Sequence, residues 1–339
     1  MNTNIVAVAK RPDAVEETRR RMSAAIDYVK EIFGSAQDHE LQRGLTSAYN
    51  ADRMARTWTV PTWFEVDGFQ YGVNQPPIPS DVRVGPAELP AVVHDRVNGA
   101  GRPSSFLMNH WGYSVAPDGA VRVWTDLVGF GRAYVVETDD RIVVSNHIGA
   151  LAFFLDGPLE INDRGVGMFA NFGWFTEEHS PYLGIRRLPR ATMLDVDAEG
   201  RISRSEYETL NELTGERDQP ADFDAVVDES RTAAWNIDAL SSPIATVYLS
   251  GGQDSRMTAG LWLSGGAQAK VTTLGTLPKE TEIAQDLMQR LGRVTDLAAQ
   301  GVAHRIVEPT SSEVTMSLPE RLSNAHLMWD GDAAPTNMK

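Results

Sequence analysis

The chain has 339 residues, 42% of them hydrophobic and 23% charged, with a formal charge of −15 and no cysteine. That length suggests two domains with substantial cores. The missing cysteine excludes disulfides, thiolate metal sites and a cysteine nucleophile. The acidic balance argues against a general nucleic-acid binder, which needs a basic surface to neutralise phosphates. No run of about 18 apolar residues is present to span a membrane, and the short apolar run at 5–9 does not make a signal peptide. The expectation is a soluble, cytoplasmic protein.

In chain order, residues 13–33 form one predicted amphipathic helix. Met22, Ala25, Ile26, Val29 and Ile32 fall at helical spacing and Gly34 is the stop. The Arg19-Arg20-Arg21 run reads as its solvated face. Residues 44–109 are short and irregular in pattern, and 74–90, crowded with Pro and Gly, read as loop. Residues 121–124, 133–137 and 141–145 read as an antiparallel meander, with turns at 129–131 and 139–140. Residues 146–156 and 166–175 look helical or mixed, and 190–203 reads as a hairpin. The polar stretch 214–222 is the linker candidate, and a helix follows at 223–239.

The last third alternates strand (244–249), helix (257–264), strand (270–274), helix (280–291) and strand (304–307), the pattern of a parallel sheet built from crossover units. The first strand runs directly into Ser250-Gly-Gly-Gln-Asp-Ser255. A strand feeding a helix through this sequence is suited to cradling a phosphate. Gly251 and Gly252 admit a sharp turn and bring backbone N–H groups against an anion, and the helix adds its positive end. Ser250 and Ser255 offer hydroxyl donors, and Asp254 can hold a magnesium ion. There is no Gly-Lys-Ser/Thr and no Gly-x-Gly-x-x-Gly, so neither a Walker loop nor a Rossmann fingerprint is present.

At these residues the chain resembles the PP-loop ATP pyrophosphatases, and more closely the synthetase domain of asparagine synthetases and their relatives. The resemblance implies that Leu249, Ser250, Gly251, Gly252, Asp254 and Ser255 bind the pyrophosphate of ATP, with Asp254 near Mg2+. It further implies that Thr273, Leu274 and Gly275 contact adenosine. Glu280, Ala284 and Leu291-Gly292 match the spacing of the family's next helix, with Lys279 where an Asp is usual. Asp126-x-x-Gly129, Tyr134 and Ser145 look like the corresponding segment of the glutaminase-like domain, with Arg132 in place of a proline, and 184–189 is similar to its Pro-Pro-Gly turn. The match runs over roughly residues 100 to 335. The implied architecture is α+β and α/β. An N-terminal Ntn-like αββα sandwich (1–222) precedes a partial parallel-sheet PP-loop domain (223–339).

Two departures shape the functional expectation. A working glutaminase of this family starts Met-Cys-Gly, whereas this chain reads Met1-Asn2-Thr3; Asn2 carries no nucleophile, and Thr3 would need two residues removed. In that respect the chain resembles the β-lactam and lasso-peptide macrolactam synthetases. The family's synthetase domain also continues to a Gly-rich loop, and 330–332 is not that loop. The expectation is therefore half of a ligase site, completed by a separate chain or absent. The implied reaction is adenylation of a small-molecule or peptide carboxylate by ATP, then transfer to an amine, without glutaminase activity. The alternative is a truncated or split scaffold subunit that binds nucleotide without catalysis. The seven histidines form no spaced metal motif. His110-Trp111 beside Tyr113 reads as core, the scattered tryptophans lack basic neighbours, and Glu177-Glu178 reads as a loop charge pair.

Overall fold

The computed structural model describes residues 2–34, 37–52, 57–107, 109–176, 178–215, 222–242, 244–308, 317 and 319–320. Strand β1 (Thr3–Ala9) is buried along its whole length, because it lies inside a sheet covered on both faces. Its side chains divide by parity. Ile5 and Ala7 face helix α1 (Val15–Phe33), while Val6 and Val8 face a second sheet. Helix α1 presents Met22, Ala25, Ile26 and Val29 inward, as its spacing predicts, and a short 3-10 turn at Pro12–Ala14 precedes it. Arg21 departs from the solvated-face reading. Its guanidinium bonds Glu17 and Asp156 and reaches the Leu155 carbonyl at 2.8 Å, which pins α1 to a later loop.

After β2 (Gln37–Arg43), the segment 44–109 that looked irregular contains three strands and a helix: β3 (Thr46–Asp52), β4 (Trp63–Val66), β5 (Phe69–Val73) and α2 (Leu89–Asn98). β4 and β5 join through Asp67-Gly68, both with positive φ (49° and 78°), the two-residue turn that matches strand twist. Then follow β6 (Trp111–Val115), β7 (Val121–Thr125), β8 (Tyr134–Glu137), β9 (Arg141–Ser145), α3 (Ile148–Ala152), α4 (Asp163–Phe172), β10 (Ile185–Arg187), β11 (Thr192–Val196), β12 (Ile202–Glu206) and α5 (Leu210–Thr214).

Two six-stranded antiparallel sheets result, in the orders β10-β8-β9-β1-β3-β2 and β12-β11-β7-β6-β5-β4. This corrects the expected meander. β8 and β9 do pair antiparallel, but β7 pairs with β6 and β11 in the other sheet. The chain changes sheets in the loop after β7, where the Asp126 carboxylate accepts the backbone N–H groups of Val128, Gly129, Phe130 and Gly131. Burying that carboxylate is tolerated there because four donors replace its water. The hairpin expected at 190–203 is β11–β12.

The layers are helix, sheet, sheet, helix. α1 and α3 cover the first sheet, an apolar core fills the space between the sheets, and α2 covers the outer face of the second. Helix α6 (Phe223–Leu240) also covers that face with Ile237 and Leu240, while its Ala234 belongs to a fourth core. Most of the expected linker, 216–221, lies outside the described residues.

That fourth core belongs to a three-stranded parallel sheet, β13 (Thr246–Tyr248), β14 (Lys270–Leu274) and β15 (Ala303–Val307), in sequence order. Helices α7 (Gln253–Ser264) and α8 (Pro278–Val294) are its crossovers, burying Ala259, Trp262, Ala284 and Met288 against it. Both helices begin earlier than the periodicity indicated. Residues 330–332 lie outside the described residues.

Candidate functional site

Leu249 continues the line of β13, its N–H donating to the Thr272 carbonyl at 2.9 Å. The chain then leaves the sheet through Ser250, Gly251 and Gly252 and enters α7, with Gly252 as N-cap. The loop is closed by its two serines. The Ser250 N–H donates to Ser255 Oγ at 3.0 Å, the two hydroxyls lie 2.9 Å apart, and the Gly252 N–H donates to Ser250 Oγ at 3.1 Å. Both hydroxyls thus bond within the loop, which holds its backbone in one shape.

Neither glycine has a positive φ, so the reason for glycine is space rather than the turn. A Cβ on Gly251 would sit 3.2 Å from both Glu280 Cγ and Ile283 Cδ1, so the loop presses against the start of α8. Gly252 caps α7 in an extended conformation and contributes no side-chain cap. The first backbone N–H groups of a helix have no intrahelical partner, and an anion satisfies them well. Asp254 stands exposed in that first turn.

The second segment singled out in the sequence lies on the neighbouring strand. Thr273 is fully buried and its Oγ donates to the Leu249 carbonyl at 2.9 Å, joining β14 to the root of the loop. Leu274 is half exposed at the strand end and the Gly275 N–H donates to the Val307 carbonyl. The structure therefore brings 249–255 and 273–275 together at the carboxyl ends of adjacent parallel strands, where open α/β sheets bind ligands.

Three further residues adjoin them: Glu280, which the sequence placed on the next helix, and Glu308 and His304, to which it gave no role at this site. Glu280 touches the Gly251 position, and the Glu308 carboxylate occupies the space where a Gly275 Cβ would be, 2.5 Å away. His304 Nε2 lies 3.0 Å from Thr273 Oγ, and burial lowers its pKa below the usual 6.5. His304 and Glu308 had no sequence signal beyond lying on β15 and directly after it. Among the described residues no cluster of three or more His, Asp or Glu is arranged to hold a metal. Asp254 is the one carboxylate in the first turn of α7.

The polar end of the sandwich is built from amides. The Asn4 N–H donates to Asn146 Oδ1 at 2.9 Å, Asn146 Nδ2 to the Asn2 carbonyl at 2.7 Å, and Asn50 Nδ2 to Asn4 Oδ1 at 2.7 Å. All four asparagines are at most 3% exposed, and a neutral amide is no nucleophile. Sequence reasoning identified Asn2 but missed the other three. His110 and Trp111 are buried as expected, His110 with its Nδ1 2.7 Å from the Leu107 carbonyl and its pKa lowered by burial. Glu178 pairs with Arg186 and Arg204, and Glu177 lies outside the described residues.

No family model matches the chain and no curated protein is similar to it. Among solved structures, a glutamine phosphoribosylpyrophosphate amidotransferase from B. subtilis, complexed with ADP and GMP, is similar over 94% of this chain and 88% of its own. The sequence identity is 11% and the TM-score 0.39. An allosteric regulatory enzyme of purine biosynthesis is similar over 94% and 86%, again at 11% identity and a TM-score of 0.39. At a TM-score of 0.39 the likeness is too loose to carry a fold or an activity across.

Proposed function

We propose that the chain binds ATP through 249–255 and 273–275 and belongs to an asparagine synthetase-like, AMP-forming amide ligase without glutaminase activity. The observation that carries this reading is the serine-closed loop between β13 and α7, standing beside the exposed end of β14. In the proposed reaction a substrate carboxylate attacks the α-phosphorus and pyrophosphate leaves into the loop. The resulting acyl-adenylate is taken by an amine, releasing AMP. The N–H groups at the start of α7 would stabilise the pyrophosphate charge as it develops. A bound magnesium ion would supply further charge neutralisation beside Asp254.

The four-layer sandwich is read here as a degenerate Ntn-type glutaminase domain. Its asparagine-lined end supports the absence of amide hydrolysis, and the amine would then come from the substrate rather than from glutamine. The same loop also fits a subunit that binds nucleotide without transferring it. Titration with magnesium-ATP, followed by isotope exchange between pyrophosphate and ATP over a panel of carboxylates, separates the two. The ligase reading expects binding and exchange, both reduced in Asp254→Ala. Binding without exchange favours the scaffold, and equal exchange in wild type and variant overturns the assignment of the loop.

A further inference from the structure

Polar side chains stand in one row across five adjacent strands of the second sheet. The register pairs Tyr71 of β5 with Ser114 of β6, Ser114 with Arg122 of β7, Arg122 with Asp195 of β11, and Asp195 with Ser203 of β12. Residues paired in this way share a face, and Tyr71 places the row on the outer one, in the core that α2 covers. Helix α2 ends at Asn98, over the first two members of the row. Beside it opens a cleft of about 460 Å³, lined by Asn98, Ser114, Arg122, Asp195 and Ser203 together with the half-buried Phe69. Small-molecule sites occupy about 300–1,000 Å³.

The polar groups of the cleft are held in place without being used up. Asn98 Nδ2 donates to the Tyr71 hydroxyl at 2.7 Å and to Ser114 Oγ at 3.1 Å, and the Tyr71 oxygen lies 2.6 Å from His94 Nδ1. Both amide hydrogens are thereby taken. Asn98 Oδ1 lies 3.5 Å from Ser114 Oγ, beyond the reach of about 2.5–3.0 Å usual for a hydroxyl donor. The Asn98 carbonyl and the proton of Ser114, a side chain only 1% exposed, are thus left for a ligand. Arg122 clamps Asp195 through two bonds, of 2.7 and 3.2 Å, and also donates to the Val97 carbonyl. A carboxylate has about four lone-pair sites, so Asp195 keeps acceptor capacity toward the cleft.

We propose that this cleft binds an uncharged carbohydrate. Its charged lining residues cancel, Arg122 against Asp195 and Arg201 against Asp197. An ionic ligand would therefore give up its water without meeting an unpaired charge, which is costly. Sugar hydroxyls both donate and accept, which matches acceptors at Asn98 and Asp195 alternating with hydroxyls at Ser114 and Ser203. Phe69 and Ile202 supply apolar surface for the C–H face of the ring. The cleft shares no residue with the nucleotide loop, so the two sites stand or fall separately.

The probes are glucose, galactose, N-acetylglucosamine, maltose and cellobiose, titrated to about 20 mM against the full chain by saturation-transfer NMR and calorimetry. At least one should bind saturably, with the same affinity at about 50 and about 500 mM salt, because screening acts on ionic contacts. Asp195→Asn keeps the shape but trades an acceptor for a donor, and should weaken binding at least about tenfold. Ser203→Trp, at an exposed position on the edge strand, should fill the cleft and remove binding. Val294→Trp, at an 81% exposed position on α8, should bind like wild type. Circular dichroism checks each fold. Where a variant loses it, chemical-shift mapping of the wild type takes its place, with shifts expected around Ser114, Arg122, Asp195 and Ser203. The proposal is overturned if none of the saccharides binds, if affinity falls with salt, or if only glycine or acetate binds when run alongside. A folded cleft variant that binds as wild type does, or shifts centred elsewhere, overturns it equally.

Discussion

Asn236 offers the sharpest test of how the two halves of the chain are joined. It is fully buried on α6 and its amide is saturated by the loop at 79–84. Oδ1 accepts the Val84 N–H at 2.9 Å, and Nδ2 donates to the Pro79 and Val82 carbonyls at 2.7 and 2.8 Å. Asn236→Leu takes the partner from two buried main-chain groups, the Val84 N–H and the Pro79 carbonyl, and from the part-buried Val82 carbonyl, each costing about 1–3 kcal/mol. Burial of the leucine returns about 2 kcal/mol of that, so the net loss should be about 1–7 kcal/mol, centred near 4. Urea unfolding followed by circular dichroism measures it, read from the midpoint at constant slope. Asn236→Asp adds a second handle. Its carboxylate keeps the acceptor for Val84 but faces two carbonyl oxygens, which disfavours the charged form and raises its folded pKa. The protonated acid can donate to one carbonyl, so this variant should be most stable in acid and lose stability as pH rises through the raised pKa. A loss under about 1 kcal/mol for Asn236→Leu, against the penalty for unpaired buried groups, would refute the reasoning.

Three further outcomes follow from the site. Gly251→Val should push the loop off α8, because its Cβ alone would lie 3.2 Å from Glu280 and Ile283; calorimetric titration should show ATP affinity falling at least about tenfold, 1.4 kcal/mol. Ser255→Ala removes the hydroxyl that receives the Ser250 N–H. It should cost about 1 kcal/mol of loop order and weaken ATP binding more than it lowers the melting temperature, which thermal shift with and without ATP compares. His304 and His110 both titrate below 6.5 in the folded chain because burial disfavours their charged forms. The unfolded chain then binds more protons just below pH 6.5, so stability is complete above that pH and declines as pH falls toward the lowered values. His304→Gln should flatten part of that decline, and an unchanged slope would show that His304 does not contribute.

The legible parts of the sequence were those whose period matched their environment. Helix α1 shows one apolar stripe because only one side is covered, and the β13–α7–β14–α8–β15 alternation is visible because each crossover is punctuated. β3 was not legible. It is buried on both faces yet written Thr-Ser-Ala-Tyr-Asn-Ala-Asp, with no apolar run to mark it. β2 is an exposed edge strand, polar for that reason. The Asp67-Gly68 turn was a usable signal for the β4–β5 hairpin, hidden among the prolines and glycines around it. The split of β7 from β8 depends on Asp126 capturing four N–H groups, a tertiary event that strand periodicity does not encode. At the site, the loop residues were readable because they are consecutive, whereas Glu308 and His304 reach it only through the parallel register of β15 against β14. The asparagine cluster was invisible for the same reason, since Asn4 and Asn50 lie on different strands and Asn146 directly after a third.

Helix α6 connects the loop to the sandwich mechanically. Ala234 packs in the core of the parallel sheet, Leu240 in the outer core of the sandwich, and Ile237 against both. The three are a turn or less apart at each step, so the helix cannot shift to improve one core without opening the other. Asn236 and the Arg83 guanidinium over the Trp235 ring, 5.4 Å from its centroid, hold the same helix from the side of the sandwich. Trp262 of α7 packs in the core that Ala234 shares, and α7 carries the nucleotide loop at its N-terminus. The loop is thereby mounted on the sandwich through two packed helices. Under the proposed function, a sandwich whose polar end carries Asn2, Asn4, Asn50 and Asn146 still contributes to the ligase. It fixes the frame against which the phosphate loop is held, and that role needs no nucleophile.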